Sequence, residues 1–173
     1  PTSGDLDVTT LGPLIAYMMP EESIVSDESA TSSLIVTPHA LQAKPHDWLA
    51  LTGGSIGQGL PLAIGASIAK PDRPVITLHG DGGAMYTVQA LWTQARENLN
   101  ITNIIFSNRS HEILKIELDR VQAVETGERA ASMFSMDNPP IDWVNLAESM
   151  GVQGYKPKTV KEFKDVFTKS VNE

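Results

Sequence analysis

The sequence predicts an α/β fold: a doubly wound parallel sheet with helices on both faces, in three layers. Three observations carry this. Strand-like and helix-like segments alternate along the chain, the pattern of a parallel sheet covered on both sides. Two β-branched runs, Val75-Ile76-Thr77-Leu78 and Ile101-Thr102-Asn103-Ile104-Ile105-Phe106, flank an amphipathic stretch over residues 85–99. Each run ends in a polar turn, His79-Gly80-Asp81-Gly82-Gly83 and Ser107-Asn108-Arg109. Right-handed crossovers make two such strands parallel and close neighbours, so their carboxyl ends meet.

The elements follow in order. Residues 1–7 read as a linker. Thr9 or Thr10 caps a helix that runs to about Met19 and stops at Pro20. Ser23-Ile24-Val25-Ser26 is a short strand, and the polar segment Asp27-Glu28-Ser29-Ala30-Thr31-Ser32-Ser33 after it caps a helix that Pro38 terminates. Residues 38–52 show no clear period and read as loop. Gly53-Gly54-Ser55-Ile56-Gly57-Gln58-Gly59 is a flexible turn before a small-residue helix, residues 60–69, with Pro61 in its first turn. That helix is apolar nearly all round, so it should be buried or packed against a partner chain. After Asn108 come a helix from Glu112 to about Val121 and an irregular stretch over residues 122–140. A helix over 142–150, a strand over 152–155 and an amphipathic helix over 159–171 complete the chain.

Composition bounds the function. The 173 residues suffice for one domain with a sizeable core; 41% are hydrophobic and 20% charged, an ordinary globular balance. No apolar run approaches the ~20 residues of a membrane span, so no membrane partner is expected. A net charge of −8 argues against nucleic acid. The absence of cysteine excludes disulfides, thiolate zinc and cysteine nucleophiles, in keeping with a cytoplasmic protein. The chain begins without a methionine, and we expect it to be a piece of a longer polypeptide.

Asp81 and Asn108 are the central pair. A hard carboxylate and a neutral amide carbonyl at neighbouring strand ends, beside the backbone N–H groups of Gly82 and Gly83, suit Mg²⁺ carrying a diphosphate. A helix starting near Met85 would aim its positive end there. Taken singly, Asp81 reads as a turn residue and Asn108 as a cap. Other motifs fail: no Gly-x-x-x-x-Gly-Lys occurs, and Leu62 stands where Gly57-Gln58-Gly59 would need its third glycine. No His or Cys spacing supports zinc. His39 and His46 read as solvated loop residues, and His111 as a residue of shape or support beside the metal loop.

Gly80-Asp81-Gly82 followed by Ser107-Asn108 resembles the metal–diphosphate motif of thiamine diphosphate (ThDP) enzymes. Gly59-Leu60-Pro61-Leu62-Ala63-Ile64-Gly65-Ala66 is similar to acetolactate synthase large subunits, and Tyr86-Thr87-Val88-Gln89-Ala90-Leu91-Trp92-Thr93 to benzoylformate decarboxylase. The resemblance covers nearly the whole chain, residues 1–173, as the C-terminal diphosphate-binding domain of a three-domain enzyme. It implies metal ligation by Asp81, Asn108 and the Ser110 carbonyl, with diphosphate contacts from Gly82 and Gly83. It places Ile56 under the cofactor as the wedge that forces its two rings into a V. The Gly54 carbonyl and the Ile56 N–H would hold the aminopyrimidine edge. Thr31 would donate to phosphate, with helix capping by Ser29 or Thr31 as the alternative.

The implied enzyme decarboxylates a 2-keto acid and passes the carbanion to a carbonyl acceptor, as an acetolactate synthase-like homodimer or homotetramer with its site at a subunit interface. The alternatives are a benzoylformate decarboxylase-like enzyme and a non-catalytic module of the same fold. FAD in the full-length protein is not readable from these residues. The glutamate that activates the cofactor would lie on the N-terminal domain of a partner subunit, so this chain carries no catalytic residue and should be inactive alone. Ser107, Gly83 and Ser110-His111-Glu112 depart from the family pattern of Asn, Ser and Gly-Tyr-Gly; none of these departures touches Asp81 or Asn108.

Overall fold

The computed structural model describes residues 3–121 and 127–172. Strands β1 (Ser23–Glu28), β2 (His46–Ala50), β3 (Val75–Gly80) and β4 (Ile101–Phe106) form one parallel sheet in the order β2-β1-β3-β4. β1 and β3 are buried along nearly their whole length, as the β-branched runs require of central strands. The chain leaves β1 toward β2 on one side and returns to β3 on the other. The carboxyl ends of β1 and β3 therefore form a switch point, the place where open α/β sheets hold ligands.

Alternating side chains divide the core into two faces. Val25, Ile76 and Leu78 pack with α1 (Val8–Met18), α2 (Ser33–Ala40) and α9 (Val160–Ser170) through Leu14, Ile15, Val36, Phe163 and Phe167. On the opposite face Ile24 and Val75 meet Ala63 of α3 (Gly59–Ala69). Leu60 of α3 packs with Ala84 of α4 (Asp81–Ala84) and with Ala90 and Leu91 of α5 (Ala90–Arg96). Beyond β4 come α6 (Glu112–Arg120), α7 (Glu128–Ser132) and α8 (Trp143–Ser149). The expected three-layer doubly wound arrangement is present.

Several local expectations are corrected. The first segment is tied down, because Leu6 N–H donates to the Lys158 carbonyl at 2.9 Å and Val160 N–H to the Gly4 carbonyl at 3.0 Å. Asp7, not Thr9 or Thr10, caps α1: its carboxylate accepts the Thr10 N–H at 2.8 Å while the Thr10 hydroxyl receives the Asp7 N–H at 2.9 Å. Pro38 lies inside α2, and the carbonyl its missing N–H leaves over belongs to Leu34, which is exposed to water. The supposed loop over 38–52 contains β2, whose Trp48 packs against the α1–α2–α9 core.

The helix expected over 85–99 is present only as α5, and residues 85–89 form turns between α4 and α5. Between them the Thr87 hydroxyl leaves the helical path to donate to the Gly57 carbonyl at 2.7 Å. Residues 152–155 form no strand. A groove of ≈500 Å³ is lined by Ile101 to Ile105 of β4 and by Val152 to Tyr155, which do not pair with each other. The stretch expected to be irregular contains α7 and a bridge between Ser110 and Ser135, while residues 122–126 lie outside the described residues.

Candidate functional site

The site is built at the switch point. β3 delivers Asp81 as the first residue of α4, 3% exposed. One carboxylate oxygen accepts the Gly82 N–H at 2.9 Å, and the other accepts the Arg109 N–H at 2.7 Å. Asp81 thus fastens the loop after β4 to the end of β3, where Gly80 and Phe106 are register partners. Arg109 adopts φ 55°, which turns the loop back, and the Asn108 side-chain carbonyl accepts the Ser110 N–H at 3.0 Å. Ser110 bridges to Ser135, and its hydroxyl reaches Glu112 at 3.2 Å and the Phe134 carbonyl at 3.3 Å. The Lys115 ammonium and the Ser110 hydroxyl hold the Glu112 carboxyl below the usual carboxylate range. A polar cavity of ≈440 Å³ opens beside Ser107, Asn108, Ser110, Lys115 and Asp137.

A carboxylate offers about four lone-pair positions and an amide oxygen two. Asp81 and Asn108 each spend only part of theirs on the backbone, so both retain acceptor capacity for a hard cation. Among the described residues no group of three or more His, Cys, Asp or Glu side chains is arranged to hold a metal. A cation here would take its remaining ligands from a phosphate group, water and main-chain carbonyls, which is how Mg²⁺ is commonly held. The donor set fits Mg²⁺ with a diphosphate. One expected contribution is corrected: α4 has only four residues and α5 begins at Ala90, so no long helix dipole points at the site from Met85.

The second half of the site is the turn over residues 53–59. Gly53, Gly54 and Gly57 have φ of 62°, 68° and 92°. The first two face open space, whereas a side chain at Gly57 would strike Tyr86 Cβ at 2.8 Å. Ile56 is 55% exposed at the tip, and its N–H donates to the Gly54 carbonyl at 2.8 Å. The two groups expected to hold a pyrimidine edge are therefore adjacent and bonded to each other. Thr31 lies in a single 3-10 turn, Ala30–Ser32, directly after β1. The capping alternative for Ser29 and Thr31 does not hold. The Ser29 hydroxyl donates to Asp27 at 2.6 Å, and α2 has no side-chain cap.

Two functional candidates escaped the sequence reading. Glu28 and His79 are register partners at the ends of β1 and β3, with 4% and 0% exposure. The Glu28 carboxylate accepts the Gly57 N–H at 2.5 Å and the Gly59 N–H at 2.6 Å, which anchors the turn. His79 Nε2 lies 3.1 Å from Glu28 Oε2, within ion-pair range but out of line for a hydrogen bond. Strand alternation was the available signal: Ile24, Ser26 and Glu28 share one face of β1, the face that α3 covers. His111 lies against Gly82, where a side chain would meet its Nδ1 at 2.8 Å. His39 and His46 are not loop residues. His39 packs beneath Gly12 of α1, and His46 lies in β2 with its ring edge toward Trp48 at 5.8 Å.

Comparison with known proteins gives the family and the fold. The model of the thiamine pyrophosphate enzyme C-terminal TPP binding domain matches residues 30–173. The chain is 44% identical over 164 residues to the protein named "Putative acetolactate synthase large subunit IlvX" of Mycobacterium tuberculosis, covering 94% of this chain and 32% of that one. It is 27% identical over 159 residues to benzoylformate decarboxylase of Pseudomonas aeruginosa, covering 92% of this chain and 29% of the relative. The solved structure of the Rhodococcus jostii thiamine diphosphate-dependent 4-hydroxybenzoylformate decarboxylase superposes with a TM-score of 0.83 at 30% identity, over 98% of this chain and 31% of that one. The chain thus spans about a third of the length of these relatives. Because that family model matches residues 30–173, the chain belongs to the thiamine pyrophosphate enzyme family, as its C-terminal TPP-binding domain.

Proposed function

We propose that Asp81, Asn108 and the Ser110 carbonyl hold Mg²⁺, and that the metal ties the cofactor's diphosphate to the end of the sheet. The observation that carries this is the bond from Arg109 N–H to Asp81, which sets the Asn108 loop against a buried carboxylate with acceptor capacity to spare. On this reading the Gly83 N–H and the Thr31 hydroxyl donate to the phosphate, and the Gly82 N–H does so by exchanging the Asp81 carboxylate, which it bonds at 2.9 Å, for a phosphate oxygen. The exposed Ile56 serves as the wedge beneath the rings, and its N–H exchanges the Gly54 carbonyl for the pyrimidine edge. When bound, ThDP supplies the electron sink that decarboxylation of a 2-keto acid requires. This chain's residues bind and orient it; the group that activates the pyrimidine belongs to a region outside this sequence.

The whole protein, on this reading, decarboxylates a 2-keto acid and joins the remainder to a carbonyl acceptor. The 44% identity to an acetolactate synthase-type relative supports that choice. A second reading, non-oxidative decarboxylation of an aryl 2-keto acid, draws support from the likeness to the 4-hydroxybenzoylformate enzyme. The protein, on this reading, works as a homo-oligomer in which the partner subunit supplies the activating residue, and it resides in the cytoplasm. Among the described residues no helix is long and apolar enough to cross a membrane. The test is turnover of pyruvate and of benzoylformate by the full-length protein with Mg²⁺ and ThDP, with products identified. A two-substrate condensation product from pyruvate supports the first reading, and an aldehyde from benzoylformate the second. Consumption of neither contradicts both.

A further inference from the structure

Glu28 joins the two halves of the site. Its carboxylate receives the Gly57 and Gly59 N–H groups at 2.5 and 2.6 Å, at the base of the turn that carries Ile56. Its Oε1 also lies 2.9 Å from where a side chain on Gly83 would begin, and His79 Cε1 lies 3.1 Å from the same point. Gly59 is equally confined: a methyl group there would stand 2.9 Å from the His79 ring and 3.1 Å from Glu28 Cβ. The pair thus occupies a compartment closed by His79 on β3, by Gly83 on α4 and by Gly57 and Gly59 at the start of α3. A carboxylate this buried has little freedom to leave its two amides.

We propose that Glu28 is a positioning residue that holds the turn, and with it Ile56 and the Gly54 carbonyl, in register with the Asp81 end of the site. His79 and the bare Cα of Gly83 form the compartment that keeps its carboxylate in place. The proposal rests on the reading of residues 54–56 as the seat of the pyrimidine. It accounts for glycine at position 83, where the family pattern has serine: with His79 and Glu28 behind it, position 83 has no space for a side chain. A Glu28 that merely satisfied two buried amides would affect the whole fold. A positioning Glu28 affects the ring end of the ligand and spares the diphosphate end.

The experiment uses the full-length protein and three variants: Glu28→Gln, Gly83→Ser and the double variant His79→Ala/Gly83→Ser. Amide hydrogen exchange over residues 53–59 is measured without ligand, and Mg–ThDP and Mg–pyrophosphate are titrated by calorimetry. Glu28→Gln should speed exchange at Gly57 and Gly59 and weaken Mg–ThDP by about tenfold, the worth of one charge-assisted hydrogen bond. Mg–pyrophosphate affinity should stay within about twofold, since its proposed contacts are untouched. Gly83→Ser should likewise speed exchange at Gly57 and Gly59, and the double variant should recover most of that protection because the space taken by the hydroxymethyl is returned. Should Glu28→Gln fail to fold, comparison of Gly83→Ser with the double variant decides the matter. In Glu28→Gln, unchanged exchange at Gly57 and Gly59 or equal weakening of both ligands overturns the proposal, as does a double variant whose exchange is no slower than that of Gly83→Ser. A wild-type protein that binds Mg–ThDP no more tightly than Mg–pyrophosphate instead overturns the reading of the ring seat, while the exchange result still judges the grip.

Discussion

Replacing Gly59 and Gly65 by alanine should shift stability in opposite directions, although both lie in α3. A methyl group on Gly59 would stand 2.9 Å from two atoms of the His79 ring and 3.1 Å from Glu28 Cβ. Comfortable heavy-atom contacts run at about 3.5–4.0 Å, so the methyl is roughly half an ångström too close on two sides. Its neighbours are buried strand residues that cannot swing away. Overpacking of this kind costs about 1–3 kcal/mol. Any shift of the Gly59 N–H also weakens its bond to Glu28. The helix-propensity gain of alanine, at most about 1 kcal/mol, is diminished at the first helical residue. The expected net effect is a loss of about 2 kcal/mol. A methyl on Gly65 meets nothing within 4 Å, so there the propensity gain of about 0.5–1 kcal/mol stands alone. Urea unfolding of the two variants beside the wild type measures both. A neutral or stabilising Gly59→Ala would refute the packing argument around Glu28 and His79.

Further outcomes follow from the same geometry. Burial tends to raise the Glu28 carboxyl, but the His79 ring and the Gly57 and Gly59 N–H groups outweigh it and hold the group below its ordinary 4.5. The unfolded chain then binds the extra proton first as pH falls, so the stability from Glu28 is complete above about pH 4.5 and is lost as pH drops through the folded value. Urea midpoints taken from pH 7 to pH 3 should show a shallower acid decline in Glu28→Gln than in wild type; parallel declines would contradict this. Thr87→Val keeps the volume and removes the hydroxyl bond to Gly57, costing about 1 kcal/mol, with faster exchange confined to the glycine turn. Phe167→Ala empties a site on α9 where the ring is 2% exposed and stacks on Phe163 at 5.5 Å. Its loss should cost about 3–5 kcal/mol in the same unfolding assay.

What the sequence made legible was the part written in local patterns. β-branched runs ending in Gly-Asp-Gly and Ser-Asn announced β3 and β4, and the family resemblance reached Asp81 and Asn108, which the structure brings to neighbouring strand ends. The amphipathic pattern over 159–171 marks α9, and the structure adds a capping box between Thr159 and Glu162 at its start. What stayed hidden depends on contacts distant in sequence. Thr87 breaks the helical stretch because its partner, Gly57, lies thirty residues away. His46 and Trp48 reveal β2 only once β1 is beside them, since half-exposed edge strands carry a weak apolar signal. Residues 152–155 have strand composition but no paired neighbour. Glu28 was visible as an acidic residue at a strand end, yet its role depends on two amides about thirty residues away and on a histidine across the sheet.

The central claim is that Asp81 fastens the cofactor's diphosphate through Mg²⁺. Calorimetric titration of ThDP with Mg²⁺ into the full-length wild-type protein and Asp81→Ala tests it most directly, with a Mg²⁺-free titration of the wild type alongside. The expected result is saturable heat in the wild type that depends on Mg²⁺ and disappears in Asp81→Ala, with circular dichroism of the variant unchanged. Equal heats from the two proteins, or wild-type binding indifferent to Mg²⁺, would contradict it.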